Sequence, residues 1–439
     1  MGRLRASLLV VVAIGALDSA CGDSSGKGAA TPSSGGGEWT AAPKDLRKMT
    51  AVVRVMPPAR LKQSFENIAA RSSSPVVSQF LKGHAQGSFG SGFIMVHRND
   101  KGTRAFVVTN RHVVDHAEDA EIGFGDGTTF KNCEIVYSSE KHDLAVVALP
   151  ASATTLFKGG FVPTKADPVD RASVIASGYP ALGNTPSYQV TDGKISNAKF
   201  TMPGDHASLL IQHTAAIDPG SSGGPLTNEA GDLVGVNVAL ATGRNSVFLA
   251  VPATAVQETV RFAHALVTKR RESSFMSKDL DETCRQFANE VASDDGRPSS
   301  YVSNQLVADR GIESYAVVAN NPTVGPSVQK MFEDDPMAAI RASVVFRMVV
   351  EWKVAGFVPR TCTLLPVDSS RLTDGRPVRV SFKGNGGELE LRWTFEQGRW
   401  RVEGGDVFSG APSSPPVRQP AEDPPPRPTK PPPAGRRRG

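Results

Sequence analysis

The chain has 439 residues, with 42 glycines, 32 prolines and 39% apolar residues, a length that carries two or three cores and excludes disorder throughout. The formal charge of +5 is not a nucleic-acid footprint, because the basic excess sits at the two ends: Arg418, Arg427, Lys430, Arg436, Arg437 and Arg438 face only Glu422 and Asp423, and Arg3 and Arg5 face Asp18. The interior is close to neutral, so no nucleic-acid partner is expected.

Residues 1–20 read as an export signal, with a basic start and an apolar run over 6–17 that is too short for a permanent membrane span. The run ends Leu17-Asp18-Ser19-Ala20-Cys21, which resembles a bacterial lipoprotein cleavage box. This predicts acylation of Cys21 and attachment to a membrane through a lipid anchor, facing the periplasm of a bacterial cell envelope. Asp18 stands where the pattern has an aliphatic residue, which keeps a cleaved signal and a secreted soluble protein as the alternative. Residues 21–44 form a Gly/Ser-rich linker, and 45–72 a short N-terminal segment.

Over 73–270 the pattern is one of short β-rich runs broken by turn residues, at 92–96, 105–109, 144–149, 172–176, 209–211, 233–239 and 247–251. Strands this short, without helices between them, predict a sandwich or barrel. A helix over 253–267 closes the segment. Residues 275–408 differ in texture. Leu280, Cys284, Phe287 and Val291 make a helical stripe over 278–292, Asp335-Pro336 opens a second helix to about 350, and a meander follows through Trp393 and Trp400. This predicts a small α+β domain of unknown role, with the paired tryptophans in its core. The Pro/Arg-rich tail, 409–439, is expected to be disordered.

Besides Cys21 the cysteines are Cys133, Cys284 and Cys362. An odd number leaves one unpaired; Cys284 and Cys362 share the C-terminal region and are the candidates for a disulfide, while Cys133 in an alternating run reads as a small core residue. The eight histidines show no metal-ligand spacing, so no metal is expected.

The chemistry concentrates in Asp218-Pro219-Gly220-Ser221-Ser222-Gly223-Gly224-Pro225-Leu226. A serine hydroxyl becomes a nucleophile only when a base takes its proton and amides hold the oxyanion that forms. Ser222 is the candidate nucleophile, with Gly220, Ser221 and Ser222 at the oxyanion hole. Upstream, Thr109-Asn110-Arg111-His112-Val113-Val114 offers His112 as the base, and His142-Asp143-Leu144-Ala145 places Asp143 at the head of a buried strand to orient the imidazole. The order His, Asp, Ser is that of chymotrypsin.

These motifs resemble the HtrA/Deg-type branch of the trypsin-like serine proteases: Gly90-Ser91-Gly92-Phe93, Thr109 to Val114, Asp143 to Val147, Gly178-Tyr179-Pro180 with Thr191 to Ser196, and Gln212 to Leu226. The resemblance covers about 73–267. It implies a mainly β fold, a chymotrypsin-like double β-barrel followed by the smaller α+β domain, and peptide-bond hydrolysis with no cofactor. Residues 275–408 show no PDZ carboxylate-binding loop, so regulation by a PDZ domain is not implied. Ser221 replaces the aspartate that pairs with a newly cut amino terminus in pancreatic enzymes, so no zymogen cleavage is expected. Ala216, six residues before Ser222, falls at the floor of the primary pocket; with Asn237 and Phe248 it forms the candidate substrate-binding set, and its uncharged side chain predicts cleavage after small aliphatic residues. The expected activity is that of an exported serine endopeptidase acting on unfolded or misfolded envelope proteins, with a homo-oligomer left open. The alternative is a catalytically silent protease-fold binding module acting through its C-terminal domain.

Overall fold

The computed structural model describes residues 38–41, 45–70, 75–182, 185–202, 205–238, 247–293 and 298–405. The signal, Cys21, the linker before residue 38 and the tail 409–439 lie outside the described residues.

The first barrel is built from β1 (Thr50–Val55), β2 (Ser88–Asn99), β3 (Gly102–Asn110), β4 (Asp119–Phe124), β5 (Thr129–Ser139) and β6 (Leu144–Ala148), closed in the order β1-β2-β3-β6-β5-β4. Every pair is antiparallel. Its inner side chains, including Val53, Phe93, Phe106, Val108 and Ile122, are fully buried, which is why these strands read as apolar runs. Cys133 belongs to this core, and burial pushes its thiol up to about 11, as befits an inert packing residue.

The second barrel uses β7 (Ser173–Gly178), followed by the two-residue strands β8 (Ala181–Leu182) and β9 (Thr185–Pro186), which make a separate hairpin. It continues with β10 (Gln189–Met202), β11 (Asp205–His213), β12 (Pro225–Thr227), β13 (Leu233–Val238) and β14 (Phe248–Pro252), in the order β10-β11-β14-β13-β12-β7. The expected double β-barrel is therefore present. The helix Ala253–Lys269 buries Val256, Val260, Ala263 and Val267 in the same core as the first barrel.

The C-terminal region combines helices, notably Ser273–Ala292 and Pro336–Val354, with a sheet of β15 (Val358–Leu364), β16 (Val378–Asn385), β17 (Gly387–Glu396) and β18 (Arg399–Gly405) in sequential order. Asp335 caps the second helix, its Oδ1 accepting Ala338 N–H at 3.0 Å, with Pro336 in the first turn as the sequence predicts. Trp393 and Trp400 are wholly buried. A disulfide joins Cys284 on the first helix to Cys362 on β15, with Cα atoms 6.2 Å apart.

The helices Ala59–Ala69 and Pro75–Ala85 lie between β1 and β2 in the chain, yet Leu61, Phe65, Ala69 and Leu81 pack into the C-terminal core. The division at residue 72 read from the sequence is thus crossed twice, since β1, before it, is a barrel strand and the helix Pro75–Ala85, after it, is not part of the barrel. The cause is physical: Leu61, Phe65 and Ala69 form an i, i+4, i+8 stripe that needs an apolar partner, and a closed barrel has no vacancy for it. Residues 38–41, assigned to the linker, are held down by Glu38, which bonds Arg261 at 2.5 and 2.7 Å and His97 at 2.9 Å.

Candidate active site

β3 delivers the chain to a single helical turn, Arg111–Val114, that carries His112. Asp143 lies just before β6, and β6 pairs with β3 so that Asn110 faces Leu144. The two residues 31 positions apart in sequence meet here. His112 Nδ1 lies 2.7 Å from Asp143 Oδ2, and the His112 backbone N–H donates to Asp143 Oδ1 at 3.0 Å. Asp143 adopts φ +49°, in the left-handed region that aspartate tolerates better than most residues. With that backbone its carbonyl also accepts Arg111 N–H at 3.0 Å and Asn110 Nδ2–H at 2.9 Å. One residue therefore binds the helix start through its carbonyl and the imidazole through its carboxylate.

Burial acts to lower the His112 pKa, but the charge of Asp143 and the hydrogen bond to it outweigh burial, and the net shift is upward. For Asp143 burial acts upward and is overcome by His112 and Arg111, so its carboxyl titrates below its ordinary range. The Asp143 carboxylate thus favours the imidazolium, the form a base takes once it has accepted a proton.

Ser222 is nearly buried in the turn between β11 and β12. Its carbonyl accepts Ser91 N–H at 2.8 Å, and the neighbouring Gly223 has φ +85°. A Cβ on Gly223 would come within 2.2 Å of Ser91 O and 2.4 Å of Thr109 Oγ1, so the serine turn presses against the end of β3 from which His112 projects.

The peptide before Gly220 has a fixed direction. Pro219 O accepts Ala181 N–H at 2.9 Å, and in a trans peptide the Gly220 N–H points the opposite way. Gly220 itself has φ +100°. Its carbonyl accepts the Ser91 hydroxyl at 2.7 Å, and that hydroxyl oxygen in turn accepts Tyr179 N–H at 2.8 Å. The Ser221 N–H is used within the turn, donating to Asp218 O at 2.9 Å.

Of the substrate-binding candidates, Ala216 is exposed and its carbonyl accepts Thr191 Oγ1–H at 2.7 Å. Phe248 is half-buried, its ring centroid 6.0 Å from that of the buried His213. Asn237 does not face a substrate groove: it is fully buried, its Nδ2 donates to Pro225 O at 3.2 Å, and its backbone bonds Gly223 and Gly224. Its task is to hold the serine turn from behind. Ser91 stands out in the sequence only as part of Gly90-Ser91-Gly92-Phe93. Its hydroxyl joins the Gly220 turn to Tyr179, just after β7.

Residues 90–236 match the family model for the trypsin-like peptidase domain. Within that class the relatives are of HtrA type. The serine protease Do-like HtrA of Bacillus subtilis (strain 168) is 32% identical over 200 residues, 44% of this chain and 43% of that protein. Its namesake from Lactobacillus helveticus is 35% identical over 152 residues, 34% and 35% of the two chains. The periplasmic serine endoprotease DegP of Escherichia coli (strain K12) is 29% identical over 245 residues, 53% and 48%. The chain thus spans less than half the length of these relatives. Among solved structures, an HtrA-type protease AlgW with tripeptide is 23% identical, covers 49% of this chain and 60% of its own, and gives a TM-score of 0.37.

Proposed function

We propose that this protein is a serine endopeptidase with Ser222 as nucleophile, His112 as general base and Asp143 as the group that orients and stabilises the imidazolium. The observation that carries the reading is the two-point hold of Asp143 on His112, 2.7 Å to the ring and 3.0 Å to the backbone amide. With Nδ1–H given to Asp143, Nε2 is left as the proton acceptor. Ser222 Oγ adds to the scissile carbonyl as its proton passes to His112. The oxyanion takes hydrogen bonds from the Gly220 and Ser222 amides, and His112 returns the proton to the leaving amine. Water, activated by the same imidazole, then hydrolyses the acyl-enzyme.

The pocket reading follows from charge. A lysine or arginine side chain over the uncharged Ala216 would lose hydration without gaining a partner, at a cost of several kcal/mol. Cleavage therefore falls after small aliphatic residues, and Phe248→Gly extends acceptance toward Leu and Met. The leader pattern supports export, with anchoring through an acylated Cys21, and unfolded envelope proteins as substrates. Wild-type protein cleaves unfolded casein and Ser222→Ala and His112→Ala do not; equal activity in wild type and Ser222→Ala rejects the reading. Mass-spectrometric mapping of the cut sites tests the pocket separately, and a majority of cuts after Lys or Arg removes Ala216 from its floor.

A further inference from the structure

The turn that carries His112 ends against the C-terminal domain. Gln397 Nε2, at the tip of the β17–β18 hairpin, donates to Val114 O at 3.0 Å and to Ala117 O at 2.9 Å. Arg341, from the second turn of the helix Pro336–Val354 and almost fully buried, places Nη1 2.6 Å from both carboxylate oxygens of Asp115. Its Nη2 donates to Asp115 O at 3.1 Å and to Asn304 Oδ1 at 2.8 Å. Three carbonyls that close the His112 turn are therefore bound by side chains from residues more than 220 positions away, and none of those side chains belongs to the barrels.

A second connection runs along the front of the turn. Arg111, next to His112 and 7% exposed, donates to Asp115 Oδ2 at 2.9 Å and pairs with Asp335 Oδ2, while its Nε lies 4.0 Å from Asp143 Oδ1. Asp335 is the N-cap of the helix that carries Arg341. The cap of this helix thus meets the charge beside the triad carboxylate, and its second turn meets the anion beneath the histidine turn.

We propose that the C-terminal domain is a working part of the catalytic site, with Asp335, Arg341 and Gln397 as positioning residues that hold the His112 turn and set the charge around it. The inference rests on the triad reading above. A four-residue helix has little stability of its own, and a base displaced by about 1 Å can cost on the order of a hundredfold in rate. The charges acting on His112 are Asp143 from the turn before β6, Arg111 from its own helix, and Asp335 from the C-terminal domain. Asp335 opposes Arg111, so neutralising it leaves more positive charge beside the imidazole and disfavours protonation.

The test is the rate of Ser222 phosphonylation by a fluorophosphonate, in which Oγ bonds to phosphorus and fluoride leaves, followed against pH in the full chain. Asparagine caps a helix as well as aspartate does, so Asp335→Asn retains the fold while removing the charge. Its acid limb moves to lower pH, which a purely structural role would not produce. Gln397→Ala lowers the phosphonylation rate tenfold or more with the limb unmoved. Wild-type rates and limbs in both variants overturn the proposal while leaving the triad intact; a wild-type protein that is not phosphonylated at Ser222 removes the triad and the proposal together. If Gln397→Ala fails to fold, the limb of Asp335→Asn decides alone.

Discussion

Asp143 does two jobs with one residue, and they separate on substitution. Asp143→Asn keeps the carbonyl that accepts Arg111 N–H and Asn110 Nδ2–H, so the fold survives, but it loses the charge that raises the His112 pKa. Activity needs neutral His112 and rises as pH passes upward through that pKa. The variant should therefore lose about 10³- to 10⁴-fold in kcat, with a limb displaced to lower pH, as a kcat/KM profile will show. Ser91→Ala removes the hydroxyl between Gly220 O and Tyr179 N. It is expected to lower kcat by about ten- to a hundredfold with little change in KM, because an oxyanion amide acts only on the transition state. His112, Asp143 and Ser222 stand out in the sequence because few residue types can do the chemistry proposed for them and each sits in a spaced motif. Sequence order does not reveal that the Asn237 side chain is fully buried with its amide on Pro225 O.

Among the elements, the helix Arg111–Val114 depends most on its neighbours. Asp115, immediately after it, is buried against Arg341 and Arg111, and these charges hold its carboxyl far below the usual range against the opposing effect of burial. Removing one partner strands the other, so Asp115→Ala should destabilise the protein by about 3–5 kcal/mol in denaturant melts. Replacing both partners with apolar residues, Asp115→Leu with Arg341→Met, should recover most of that stability and little of the activity. Recovery of both would mean that the pair serves packing alone. The helix itself was not readable from sequence as a supported element, since its supporting residues lie 226 and 283 positions away. The helices 253–269 and 336–354 were readable, because their stripes, caps and prolines are local signals.

For the whole molecule, the interleaving of the two folded regions decides what can be cut away. The helices Ala59–Ala69 and Pro75–Ala85 precede most of the first barrel but bury Leu61, Phe65 and Leu81 in the C-terminal core. A chain ending at residue 272 would expose those faces and leave the His112 turn without Gln397 and Arg341. Such a truncation is expected to aggregate, and light scattering at matched concentration against the full chain will show it. Consecutive stretches of sequence do not map onto consecutive packed units here, because contiguity along the chain is not contiguity in space. The central claim is that Ser222 is a nucleophile activated within this assembled site. It is tested most directly by treating the full chain with a fluorophosphonate and mapping the adduct by mass spectrometry. One adduct on Ser222, absent in His112→Ala, is the result expected; no adduct, or one that forms equally well without His112, would contradict it.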